Sequence, residues 1–113
     1  MSIFTVASEQ VQFTTAAVDP ADTFIGGFRF ASDGKVRASS GAVALYNNGI
    51  PQTSSGQVCT VDATAGLPAG TVFVNGIPVS AGNQVCCSTD AAASYNNGTP
   101  YVANGAIRAT GFI

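Results

Sequence analysis

The chain has no histidine and no tryptophan, and in 113 residues it has only four lysines or arginines, six aspartates or glutamates and three cysteines. Each shortage removes a class of function. Without histidine, a Ser-His-Asp or Cys-His relay cannot be assembled, and the commonest metal ligand is missing. Cys59, Cys86 and Cys87 form no metal motif, because the adjacent Cys86-Cys87 pair lacks the two-residue spacer of a zinc knuckle. No cofactor is expected. Arg29, Lys35, Arg37 and Arg108 are too few to track a phosphate backbone, so nucleic acid is not expected as a partner. No run approaches the ~20 apolar residues of a membrane-spanning helix, and no membrane partner is expected. The start, Met1-Ser2-Ile3-Phe4-Thr5-Val6, has neither a basic stretch nor a long apolar one. No secretory signal is visible there, and folding in a cytoplasm is expected.

The shortage of charge carries further meaning. Charged residues make up 9% of the chain, against roughly 25% in ordinary soluble domains. Charge of both signs keeps the copies of a monomer apart. A chain so poor in it is expected to be a subunit of an assembly, as a homo-oligomer or docked on other subunits. The three thiols have two readings. They are small apolar core residues, or links between subunits once an oxidising medium is reached.

Apolar residues make up 46% of the chain, enough for the core of one domain spanning residues 1–113. Its dominant feature is a repeat. Segments beginning at Gly27, Gly49, Gly76 and Gly98, at intervals of 22, 27 and 22 residues, align without gaps. The five extra residues of the middle interval fall around the loop at residues 62–70. Three positions before each leading glycine stands an aromatic: Phe24, Tyr46, Phe73 and Tyr95. Immediately before it stand Gly26, Asn48, Asn75 and Asn97. Asn-Gly favours positive φ at both turn positions and is the strongest short hairpin signal. Tight turns are therefore expected at Gly27 and at Asn48-Gly49, Asn75-Gly76 and Asn97-Gly98. Pro51, Pro78 and Pro100 follow two residues later, where a residue that cannot donate to a ladder marks a strand start or edge. A second turn follows at Gly34, Gly56, Asn83 and Gly105. Then comes a short strand in which Val36, Val58, Val85 and Ile107 share one face, the expected core, and Arg37, Cys59, Cys86 and Arg108 the other.

Residues 1–22 read as N-terminal strands, Ile3 to Ala7 and Val11 to Thr15, closed by a turn at residues 18–22. No segment keeps a helical apolar period over three turns. The predicted fold is all-β: a compact sandwich or barrel-like domain of short antiparallel strands, with four hairpin repeats over residues 23–113.

The carboxylates Glu9, Asp19, Asp22, Asp33, Asp62 and Asp90 fall mostly in apparent turns, where Asp bonds its own backbone. Asp19 and Asp22 could also hold calcium in a loop. No convergent nucleophile and base is visible, and no enzymatic activity is expected. The repeated aromatics also have two readings. Beside asparagine they could stack on sugar rings. The favoured reading places them in the core, each covering its own turn, because Phe24 and Phe73 lack a polar handle.

Runs such as Tyr46-Asn47-Asn48-Gly49-Ile50-Pro51 and Phe24-Ile25-Gly26-Gly27-Phe28-Arg29-Phe30, followed by a Gly-x-Val strand, resemble small repeat-containing structural proteins of tailed bacteriophages. The resemblance covers roughly Thr23 to Ile113; the first 22 residues add nothing to it. It implies a virion protein assembled in the host cytoplasm. On this reading the protein is a capsid decoration (cement) protein, with the major capsid protein or other virion subunits as partners. The alternative it implies is a receptor- or carbohydrate-binding module of a head or tail fibre. No catalytic residues come with it.

Overall fold

The computed structural model describes residues 10–111. The strand expected at residues 3–7 lies outside the described residues. Within them the protein is all-β, with thirteen short strands. No helix among them is long and apolar enough to cross a membrane.

The strands follow the repeat. After β1 (Phe13–Thr14) come four three-stranded units. Unit 1 is β2 (Thr23–Ile25), β3 (Phe28–Phe30) and β4 (Val36–Ser39). Unit 2 is β5 (Leu45–Asn47), β6 (Ile50–Gln52) and β7 (Val58–Asp62). Unit 3 is β8 (Val72–Val74), β9 (Ile77–Val79) and β10 (Val85–Ser88), and unit 4 is β11 (Ser94–Asn96), β12 (Thr99–Tyr101) and β13 (Ile107–Arg108). In each unit the first two strands form an antiparallel hairpin, and the second pairs antiparallel with the third.

The turn chemistry is the one the dipeptides require. Asn48, Asn75 and Asn97 all have φ 52°, and each following glycine has φ 82°. Gly26 and Gly27, at 63° and 89°, make the same turn in unit 1. Positive φ at both central residues matches the right-handed twist of the flanking strands. At the second turn Asn83 adopts φ 62° where the other units use glycine, a substitution that asparagine tolerates.

Antiparallel pairing is confined to the units. Between them, the third strands pair in parallel: β4 with β7, β7 with β10, and β10 with β13. β1 pairs in parallel with β4, and a parallel bridge from Val11 to Ala109 closes the circle. The result is a five-stranded parallel ring. A parallel connection needs a crossover of about a dozen residues or more, usually a helix. Here the hairpin of each unit is the crossover. Around the ring the partners are Phe13↔Val36, Ala38↔Val58, Thr60↔Val85, Cys87↔Ile107 and Ala109↔Val11. Each strand is joined on one side two residues further along than on the other. Five steps of two give a stagger of ten, twice the strand number, and such a stagger inclines the strands to the barrel axis.

Alternation along these strands fills the ring with two layers of five side chains. One layer is Val11, Val36, Val58, Val85 and Ile107; the other is Phe13, Ala38, Thr60, Cys87 and Ala109. All ten are buried. Phe28, Ile50 and Ile77, each the first residue after a turn glycine, join the same core. The ring also brings Val11 to Thr14 into the repeat. Val11 stands where Val58 and Val85 stand, and the Gln10-Val11 pair repeats Gln57-Val58 and Gln84-Val85. That match was present in the sequence, and β1 is the ring strand of a fifth unit.

The outer face of the ring is covered too. Cys59 and Cys86 are fully buried under loops, with Cys59 Sγ 3.6 Å from the Gly41 carbonyl and Cys86 Sγ 4.0 Å from Thr71 Oγ1. Cys86 belongs to a small second core with Ala63, Val102 and Ala106. Cys87 lies inside the ring. All three are free thiols. Burial favours the core reading of Cys59, Cys86 and Cys87 over the intersubunit one.

Candidate functional site

The hairpins stand around the ring, and each leans on the next. Asn47 Nδ2 of unit 2 donates to the Gly26 carbonyl at the tip of unit 1 at 2.7 Å, and Asn75 Nδ2 of unit 3 donates to the Asn48 carbonyl at the tip of unit 2 at 3.0 Å. Lower down, Gln57 Nε2 donates to the Ala38 carbonyl at 3.4 Å and Gln84 Nε2 to the Thr60 carbonyl at 3.1 Å, tying β7 to β4 and β10 to β7. Asn75 therefore acts twice, in the turn backbone and as an amide link between units, whereas in unit 2 the link comes from Asn47, the residue before the Asn48-Gly49 turn.

The repeated aromatics are not core residues. Phe24, Tyr46, Phe73 and Tyr95 are 55%, 54%, 56% and 52% exposed. The reason lies in the hairpin. Each aromatic sits on the outer strand, opposite Arg29, Pro51, Pro78 or Pro100 on the inner one. The prolines are fully buried, and one face of the aromatic is left to solvent. The edge of the ring covers the second turn of the following unit. A Cβ on Gly56 would lie 3.0 Å from the Phe24 ring, and one on Gly105 would lie 3.4 Å from the Phe73 ring. Phe24 and Phe73 thus each cover a neighbouring unit's turn rather than their own.

Clefts remain between hairpins. The cleft between units 3 and 4 has a volume of about 370 Å³ and is walled by Phe73 and Gly76 on one side and by Ser94, Asn96, Tyr101 and the turn at residues 102–105 on the other. A half-exposed aromatic beside amide and hydroxyl groups can hold a flat, partly polar ligand or a neighbouring loop. On the far side of unit 1 a cleft of about 530 Å³ is walled by Ala21, Thr23, Ile25, Phe30, Ala31, Ser32 and Gly34.

Three of the charged residues, Asp22, Arg29 and Arg37, form one cluster. Asp22, its side chain 1% exposed, takes Arg29 Nε at 2.7 Å and Arg37 Nη2 at 2.8 Å. Arg29 continues to the Ser55 carbonyl of unit 2, and Arg37 to the Ala16 carbonyl. The Arg37 guanidinium, helped by Arg29 and by the Asp19 backbone, holds the Asp22 carboxyl well below the usual carboxylate range. Two guanidinium groups already occupy this carboxylate, which favours the structural turn over the calcium reading of Asp19 and Asp22. The Asp22-Arg29-Arg37 triad is not legible in the sequence, because Arg29 and Arg37 lie 7 and 15 residues from Asp22. Burial raises the ionisation range of all three thiols, so they remain neutral and weakly nucleophilic near neutral pH.

No family model, curated protein or solved structure matches this chain.

Proposed function

We propose that this protein is a non-enzymatic structural component of a bacteriophage particle, a capsid decoration (cement) protein that docks on the coat lattice through its hairpin rim. The observation that carries this reading is the rim. Of the eight large apolar side chains exposed among the described residues, seven lie on the outer hairpin strands: Phe24, Ile25, Leu45, Tyr46, Val72, Phe73 and Tyr95. Exposed apolar side chains concentrated on one class of strand suit an interaction surface, and Phe24, Ile25, Leu45, Tyr46, Val72, Phe73 and Tyr95 carry no charge to oppose contact. The rigid ring beneath would present these groups in fixed positions. Several weak contacts repeated over a lattice would hold such a subunit by avidity. The phage assignment itself rests on the sequence resemblance, as do the virion location and the major capsid protein as partner.

The test is to mix the protein with particles lacking it. Rebinding at regular lattice positions is expected, with rebinding lost when Tyr46 and Phe73 are both changed to Ser while the thermal midpoint holds. A protein that never rebinds such particles and sediments as a stable monomer overturns this reading.

The cleft beside Phe73 favours a second reading, a carbohydrate-binding module of a fibre. Ser94, Asn96 and Tyr101 supply polar groups next to an aromatic platform. A glycan array, repeated with Phe73→Ala, separates the two readings.

A further inference from the structure

Four asparagines stand directly before a glycine: Asn48, Asn75, Asn97 and Asn104. Such a pair can react with itself, because glycine has no Cβ to shield its backbone nitrogen from the preceding side-chain amide. The fold puts the four pairs in two settings. Asn48, Asn75 and Asn97 are exposed at the hairpin tips. Each tip pair lies between the last partners of its ladder, Asn47↔Ile50, Val74↔Ile77 and Asn96↔Thr99, so the glycine N–H stands outside the ladder. Among the described residues a single side-chain bond ties the tip asparagines, from Asn75 Nδ2 to the Asn48 carbonyl at 3.0 Å. The Asn104-Gly105 pair lies instead in a second turn, half-buried and held at both reacting groups. Gly105 N–H donates to the Val102 carbonyl at 2.9 Å. Asn104 Nδ2 donates to the Ala63 carbonyl at 3.0 Å, and Asn104 Oδ1 accepts from Ala106 N–H at 2.9 Å.

We propose that the hairpin tips are sites of self-modification: Asn48, Asn75 and Asn97 are converted to acids through attack by the following glycine's backbone nitrogen, while Asn104 is protected. Hydroxide takes the glycine amide proton, and the nitrogen attacks Asn Cγ. The N–Cγ bond forms, the Cγ–Nδ2 bond breaks, and ammonia leaves with a proton from water. Water then opens the five-membered imide at either carbonyl, giving aspartate or isoaspartate. One water is consumed, one ammonia is released, and nothing is oxidised or reduced. To react, each pair must first leave its turn geometry. At a tip this opens a two-residue turn, whereas at Asn104 it also breaks three hydrogen bonds. The outcome changes the rim. Three negative charges join a net charge of −2, all of them at hairpin tips. A carboxylate at position 75 cannot donate to the Asn48 carbonyl, so the amide link between units 2 and 3 is lost. Unit 1, with Gly26-Gly27 at its tip, has no amide to lose. This chemistry belongs to the isolated protein and stands whether or not the rim docks on a lattice.

The test is to incubate the full-length folded protein in 18O-labelled water at mildly alkaline pH and to map its peptides by mass spectrometry. Solvent oxygen is expected at Asn48, Asn75 and Asn97, as a mixture of aspartate and isoaspartate. Asn104 is expected to react at least about tenfold more slowly than the tips, since three hydrogen bonds hold its reacting groups. In the urea-unfolded chain the four sites should react at similar rates, which separates the effect of the fold from that of the dipeptide. Equal rates at all four sites in the folded protein overturn the proposal. So do tips that stay intact while the unfolded chain reacts, or tips that yield aspartate without isoaspartate. The consequence for the link has its own test. Asn75→Asp should melt a few degrees below Asn48→Asp at neutral pH, because only the former removes a donor between units. Equal midpoints overturn the loss of the link.

Discussion

The ring and the hairpin rim are built from the same repeat and solve opposite problems. In the ring, ten side chains from five strands meet in two layers and leave no surface. In the rim, the outer strands keep Phe24, Tyr46, Phe73 and Tyr95 more than half in water. The ring excludes solvent by closure, so each interior position depends on all five strands. A rim position depends only on its own hairpin and one neighbour. Stability should therefore concentrate in the ring, leaving the rim free to carry recognition.

The sharpest way to break this division is inside the ring. Ile107→Ala removes a fully buried side chain from a layer that cannot collapse inward on one side alone, and should cost about 2–4 kcal/mol in denaturant unfolding. A cost below that of an exposed rim substitution would show that the ring is not the core.

The Asp22 triad joins the two regions, and its test is pH. The folded-state pKa of Asp22 is depressed. Its stabilising contribution is therefore fully present above the ordinary aspartate range and is lost as pH falls through that range toward the folded value. Asp22→Asn is expected to be less stable than the wild type at pH 7 and to have a flatter stability profile between about pH 5 and pH 2. Parallel profiles for the two proteins would contradict the assignment.

Two glycines at equivalent strain separate backbone conformation from packing in the rim. Gly34 and Gly49 have φ 88° and 82°. A Cβ on Gly34 meets nothing, whereas one on Gly49 would lie 2.4 Å from Val74 Cγ1. Gly34→Ala should cost about 1–2 kcal/mol from backbone strain alone, and Gly49→Ala about 1 kcal/mol more. Equal costs would mean that the hairpins do not press on one another.

The smallest expected effect is a gain. Thr60 lies in the ring interior, and its Oγ1 has no hydrogen-bond partner among the described residues. Thr60→Val keeps the shape and removes the unpaired hydroxyl, so the protein should gain up to about 1 kcal/mol. A loss would show that the hydroxyl has a use inside the ring.

The sequence by itself determined what is local. Asn48-Gly49 and its counterparts imposed two consecutive positive φ values, and those dictated hairpins. The shared register of Val36, Val58, Val85 and Ile107 determined which face is buried, because side chains alternate with a strict period of two. Tertiary structure decided everything that depends on which units become neighbours. The parallel ring needs Val11 beside Ala109, a contact between the two ends of the chain that no spacing announces. The aromatics were legible as a repeat but not as a rim. Whether a ring covers its own turn or the next one depends on how one hairpin leans on another.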